Sequence, residues 1–272
     1  MTSATATPPG LMPAALPRTI DLSYPSNRWA VLGLLGGVAL GRLRGRSWVG
    51  SVGTGLGAFA TWACARELDP DHTVSANAAL PLALALSLAS EDSSDAAVMG
   101  EVLAAFTALS SMRTLSATTG AAATAGDQAA LGAAAAMCAG AGQQAAALLP
   151  GAALALSSQQ ADDLSPRNSG GGPAALLAAL LPTIAATREG ERQSLGSVAV
   201  AGALLLAPIL LKPEDVNTET DRGDRTISAE RVGKARQLAL GGLALSAVLG
   251  GTRSALPLAC AALSVGARRR LK

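Results

Sequence analysis

Residues 73–90 read TVSANAALPLALALSLAS, without one charged side chain. Apolar groups occupy every helical phase of this run, so a helix built from it has no polar face to turn toward water. Such a segment suits hydrocarbon as its solvent, because a helix satisfies its own backbone hydrogen bonds. The same texture continues on both sides. Upstream, residues 29–65 carry charge only at Arg42, Arg44 and Arg46. Downstream, residues 96–112 carry only Glu101 and residues 114–161 only Asp127. Residues 168–187, 193–211, 237–252 and 254–267 carry none.

Composition agrees with this texture. The 272 residues include 61 Ala, 43 Leu and 30 Gly, only 2% are aromatic, and the net charge is +2. These values exclude a disordered chain, a disulfide scaffold and a basic nucleic-acid binder. The expected fold is therefore all-α, a polytopic integral membrane helix bundle whose main partner is the lipid bilayer. Its candidate helices are 28–43, 47–65, 74–90, 96–113, 117–138, 143–157, 173–187, 194–211, 237–251 and 254–267, about ten in all. The count falls to nine if one long helix replaces the pair within 117–157. Runs such as 29–40 are shorter than the ~20 residues of a straight span, so flanking arginines would have to snorkel. The competing architecture is a soluble Ala-rich helical bundle.

Residues 1–27 hold five prolines (Pro8, Pro9, Pro13, Pro17 and Pro25) and read as a disordered tail rather than a signal peptide. Residues 28–267 form the expected helical domain. Within it, the loop 212–236 carries six basic and six acidic groups. Residues 268–272 form a basic tail suited to an anionic lipid surface. Lys/Arg distribution places that tail and the 212–236 loop in the cytoplasm of a prokaryotic-type inner membrane, with the N-terminus on the same side. Cys64, Cys138 and Cys260 lie inside apolar runs and read as small core residues.

The phrase Leu84-Ala85-Leu86-Ser87 returns as Leu154-Ala155-Leu156-Ser157 and as Leu243-Ala244-Leu245-Ser246. Arg42, Arg113 and Arg188 each close the first helix of a possible unit. Together they suggest three-helix units at 28–95, 96–165 and 173–251, although a chain this rich in Ala and Leu also matches itself by chance.

The densest polar cluster is Arg66-Glu67-Leu68-Asp69-Pro70-Asp71-His72, which contains the only His. Carboxylates and an imidazole there could bind a divalent cation, hold a headgroup or relay protons. The alternative is a solvated turn shaped by Asp69, Pro70 and Asp71. Glu101 and Asp127 fall within expected spans, where an ionisable group is costly and so marks a functional candidate. Asp127 could equally cap a helix, and Glu101 could lie at an interface. Gly33, Gly37, Gly41 and Gly45, with Gly53 and Gly57, repeat at four-residue spacing and signal close helix contact. No phosphate loop, nucleophile elbow or metal motif is present, so no metal or cofactor is expected.

Asp221-Arg-Gly-Asp224-Arg225-Thr226, with Arg231-Val232-Gly233 after it, resembles the second aspartate-rich loop of UbiA-type prenyltransferases. The likeness implies about nine transmembrane helices and two cytoplasmic Asp-rich loops holding Mg²⁺ and a prenyl diphosphate. Glu67–Asp71 would have to serve as the first loop, and it lacks the family's Asn-Asp pair. The leading expectation is a small-solute or ion transporter, or a structural membrane protein. The intramembrane prenyltransferase is the enzymatic alternative.

Overall fold

A computed structural model of the chain describes residues 12–18, 20–91, 93–166, 170–179 and 195–271. The helices are α1 (Pro25–Leu43), α2 (Trp48–Leu68), α3 (Thr73–Ala89), α4 (Asp95–Ser116), α5 (Ala125–Gly140), α6 (Gln144–Ser158), α7 (Gly171–Ala179), α8 (Leu195–Leu205), α9 (Ala207–Leu210), α10 (Ala229–Leu249) and α11 (Leu256–Arg270). About 70% of the described residues are helical, and none lies in a strand. One antiparallel bridge, Glu219 to Thr226, folds the loop before α10.

Local chemistry sets the helix boundaries. The Ser47 and Ser94 hydroxyls accept from the amides of Gly50 and Ala97 and so start α2 and α4. Thr124 and Asp127 form a capping box at the head of α5. Gly142 takes a φ of +75°, which turns the chain between α5 and α6. The stretch 117–157 is therefore two helices, and the single long helix of the nine-helix alternative does not form. In the 194–211 stretch, Pro208 lacks an N–H and crowds the preceding turn. The helix breaks at Leu206 into α8 and α9. Ser228 caps α10, so the second part of the charged 212–236 segment is helix rather than loop. The candidate helix 173–187 begins within α7, but its later residues and Arg188 lie outside the described residues, as do 1–11 of the N-terminal segment.

Among the described helices, only α4 is both long and apolar enough to cross a membrane; α3, α6 and α8 are apolar but shorter. The all-helical class stands, while a polytopic membrane bundle does not follow from the helices alone. The reason lies in composition. Ala and Gly contribute little hydropathy, and charges sit within a turn or two of many helix ends.

Helix α2 packs on α1, α3, α4 and α11, and α10 lies against α4, α6 and α8. The α1–α2 contact uses the glycine stripe. A Cβ placed on Gly37 would lie 2.7 Å from the Gly55 Cα, and one on Gly41 would lie 2.8 Å from the Ser51 Cα. Gly53 faces Val98 of α4, whereas Gly45, at φ +81°, belongs to the turn after α1. Leu32, Leu35, Leu205 and Val248 point outward. Inside, the core is largely Ala, and Glu67, Asp127 and Arg231 are fully buried.

Helices α1–α2–α3 pack mutually, and so do α4–α5–α6. In the third expected unit, α7 packs on α5 and α6.

The bundle has two ends. At the basic end, α2, α4, α6 and α11 finish, while α3, α5 and α10 begin. The opposite end carries the α1–α2 turn, Ser90 and Arg253.

Candidate functional site

The basic end gathers most of the polar residues singled out in the sequence. Glu67 receives the Arg113 Nε at 2.9 Å, the Ser116 hydroxyl at 2.9 Å and the Thr118 hydroxyl at 2.6 Å. Arg18 approaches the same carboxylate at 3.8 Å and donates to Asp221 at 2.6 Å. Asp69 accepts from Ser75 and from Arg268 (2.8 Å) and lies 3.0 Å from the His72 Nδ1. Asp71 accepts from the Asn217 and Thr218 amides and from the Thr218 hydroxyl. Burial raises the Asp71 carboxyl, but these donors outweigh it and hold the group below its usual range. The Arg66 guanidinium closes its own turn on the Pro70 carbonyl.

Asp127 belongs to the same end but serves the chain's N-terminal segment. Its carboxylate accepts the amides of Ala14, Ala15 and Leu16 as well as that of Thr124. Ala15 is buried against Ala123, Leu131, Leu154 and Ala175. Proline content had suggested a loose tail through residue 27, yet residues 14–18 are pinned. A carboxylate supplies the acceptors that this irregular backbone lacks.

These partners decide what the two acidic loops can do. The 66–72 and 212–225 loops do meet, through Asp71. However, arginines, hydroxyls or amides engage Glu67, Asp69, Asp71 and Asp221. Among the described residues, no group of three or more His, Cys, Asp or Glu side chains is placed to hold a metal. The geometry is that of a structural lock.

Glu101 lies at the opposite end and lines a cavity of about 240 Å³ between α2, α3, α4 and α11. Arg253, from the α10–α11 turn, pairs with Glu101 at 3.0 Å, and Ser93 donates to the same carboxylate. Across the mouth, Arg46 donates to the Thr54 hydroxyl at 2.9 Å and to the Ser87 and Ser90 carbonyls at 2.6 and 3.1 Å. It thereby fixes the end of α3 against α2. Deeper in, the wall consists of Gly53, Gly57, Ala58, Ala83, Ala105 and the branched side chains of Val98 and Val102. Gly57 leaves room on this face of α2, whereas the space freed at Gly53 is filled by Val98.

The seven candidate residues therefore do not converge. Arg66, Glu67, Asp69, Asp71, His72 and Asp127 hold the basic end together, and Glu101 alone borders the cavity. Sequence reasoning did not assign Arg46, Arg253 and the serines 87, 90 and 93 to a site. Arg46 carried the one available signal, as one of only three charges in residues 29–65. Arg231, expected in the charged 212–236 loop, is wholly buried and bonds to Asp162, Ser157 and the Leu115 carbonyl.

Comparison with known protein families, with curated proteins and with solved structures finds no match.

Proposed function

We propose that this chain is a multi-pass membrane protein that binds and passes a small solute through the cavity bordered by Arg46, Glu101 and Arg253. In this reading the basic end faces the cytoplasm and the cavity opens to the other side. One observation carries it: a polar-mouthed space among small residues, inside a bundle whose other helices, α1, α8 and α10, turn Leu32, Leu35, Leu205 and Val248 outward. Charge at the two ends and apolar groups between them suit a bilayer. A cavity between helices is where a bundle places a solute site.

Cysteine accessibility tests both parts. Cys64, Cys138 and Cys260 are buried, so a single new thiol reports cleanly. Ser90→Cys is expected to react with a membrane-impermeant, sulfonate-bearing thiol reagent added outside intact spheroplasts, while Arg222→Cys reacts only after permeabilisation. Extraction of the chain by alkaline carbonate, or the reverse labelling pattern, refutes the reading.

The enzymatic alternative, a prenyltransferase of UbiA type, would have to displace the arginines, hydroxyls and amides that engage both acidic loops. That reading requires Mg²⁺-dependent protection of residues 66–72 by a prenyl diphosphate, measured by hydrogen exchange. Unchanged exchange removes it.

A further inference from the structure

Resting on the solute-cavity reading above, we infer that the cavity selects a small zwitterion with an aliphatic side chain, an apolar α-amino acid, which bridges the Glu101–Arg253 pair. Charges of both signs stand at the mouth. Arg46, Arg253 and Glu101 line it. The Ser47 hydroxyl of the same lining donates to Asp95 at 2.6 Å, and Arg44 and Glu91 stand beside Arg46 on the adjoining surface. The lining charges are all engaged within the protein, Arg46 with Thr54 and the end of α3, and Arg253 with Glu101. A ligand carrying net charge of either sign would take one member of the pair and strand the other. A zwitterion brings a partner for each.

The pair is arranged to open. The Arg253 and Glu101 side chains keep 29% and 26% of their surface exposed, and ion pairs that water reaches contribute little to stability. Each member also has a second anchor. While the Arg253 Nε faces Glu101 at 3.0 Å, its Nη2 donates to the Glu91 carbonyl. Ser93 holds Glu101 at 3.0 Å. Parting therefore leaves both groups in position, with a carboxylate site at Arg253 and an ammonium site at Glu101. The ammonium N–H groups replace the donor that the guanidinium withdraws.

The inner wall sets the side chain. Its two threonine hydroxyls are spent on their own helix, Thr54 on the Gly50 carbonyl at 2.9 Å and Thr61 on the Gly57 carbonyl at 2.8 Å. Ala58, Ala83, Ala105 and Val102 supply much of the remainder. A hydroxylated side chain placed there would lose its hydration without replacement, whereas an aliphatic one gains by leaving water. A Cβ added at Gly57 would meet only Pro257, at 4.0 Å, so open space lies there. The volume of about 240 Å³ falls below the range of drug-sized pockets, which limits the side chain to a few carbons.

The probe is tritiated L-valine, bound to the full chain in nanodiscs and read by scintillation proximity. Unlabelled L-valine should displace it. Isovalerate lacks the ammonium, isobutylamine lacks the carboxylate and glycine lacks the side chain. Each should displace the label roughly tenfold less well, or worse. Glu101→Gln and Arg253→Gln should each weaken binding by a similar factor. Gly57→Leu, which fills the wall, should abolish it at a near-wild-type unfolding midpoint. Should a variant unfold early, the three analogues on the unaltered chain decide the matter.

Equal displacement by isovalerate or by isobutylamine overturns the zwitterion assignment, and equal displacement by glycine overturns the apolar half. Full binding to folded Glu101→Gln or Arg253→Gln overturns the bridging of the pair. No valine binding to protein that still shows outside labelling of Ser90→Cys overturns the ligand class while leaving the cavity reading in place. Loss of the outside labelling itself defeats that reading instead.

Discussion

Both carboxylate oxygens of Asp127 accept the backbone N–H of Ala14, at 3.0 and 3.2 Å, across 113 positions of sequence. The neighbouring amides of Ala15 and Leu16 point at the same group. One buried side chain thus ties the N-terminal segment to the head of α5. Asp127→Ala strands these donors and removes the α5 cap. The expected loss is about 3 kcal/mol, since hydrogen bonds to a charged acceptor are strong and buried orphans are costly. Hydrogen exchange at residues 14–16 should quicken while α2 and α11 stay protected. Asn at this position keeps one carbonyl acceptor and should fall between. Unaltered exchange in the Ala variant would show that the segment is held by other contacts.

The Glu67–Arg113 pair makes a second test. Glu67 is fully buried, so removing either partner leaves an uncompensated charge or a stranded donor. Glu67→Leu and Arg113→Leu should each cost about 3–5 kcal/mol, read as a fall in the unfolding midpoint in detergent micelles. The double variant should be less damaged than the sum of the two, because neither charge is left behind. Additive losses would mean that Ser116, Thr118 and Arg18 matter more to Glu67 than Arg113 does.

Gly36 and Gly37 are adjacent but differ in surroundings. Nothing lies within 4 Å of a Cβ built on Gly36, while one on Gly37 meets the Gly55 backbone at 2.7 Å. Gly36→Ala should therefore stabilise the protein by about 0.5–1 kcal/mol through helix propensity alone. Gly37→Leu should destabilise by about 2–3 kcal/mol or separate α1 from α2. Similar behaviour of the two variants would refute the close α1–α2 contact.

Asp162 supplies a pH dependence. Its hydrogen bonds to the buried Arg231 guanidinium, 2.7 and 2.6 Å long, hold the carboxyl below its ordinary value of 3.8. A group depressed in the folded state contributes stability above its unfolded pKa and loses it as pH falls through the folded one. Stability should then be flat from neutral pH to about pH 4 for this pair and decline below that. Asp162→Asn should lower the neutral-pH midpoint and flatten the acid limb. An acid limb of unchanged slope in that variant would assign the dependence to other carboxylates.

Much of the helical layout was legible because charge runs and glycine spacing act locally. Residues 28–43, 47–65 and 96–113 anticipate α1, α2 and α4 to within a few positions, and the Gly33–Gly37–Gly41 stripe does face a neighbour. The site was far less legible. Asp127 reads in sequence as either an intramembrane charge or a cap, and only its distance to Ala14 distinguishes them. Arg46 and Arg253 are 207 residues apart, and no periodicity connects a turn after α1 with a turn before α11. Arg231 falls in a charged run that reads as loop, because charge masks the helical period there. Its spacing with Ala235 and Leu238 nonetheless puts it on the buried face of α10.

On the proposed membrane reading, the positions of the flanking charges have a consequence for lipid. Arg28 and Arg42 bracket α1, Glu101 and Arg113 lie within α4, and Arg253 and Arg268 enclose α11. At 1.5 Å of rise per residue, these pairs delimit an uncharged girdle only about 18–22 Å tall. A fluid bilayer offers about 30 Å of hydrocarbon. In a membrane, lipids around this protein would have to compress or the arginines reach outward, at a fraction of a kcal/mol for each ångström of mismatch. On the proposed membrane reading the chain suits thin or locally pinched bilayers, and its thermal midpoint should rise as acyl chains are shortened.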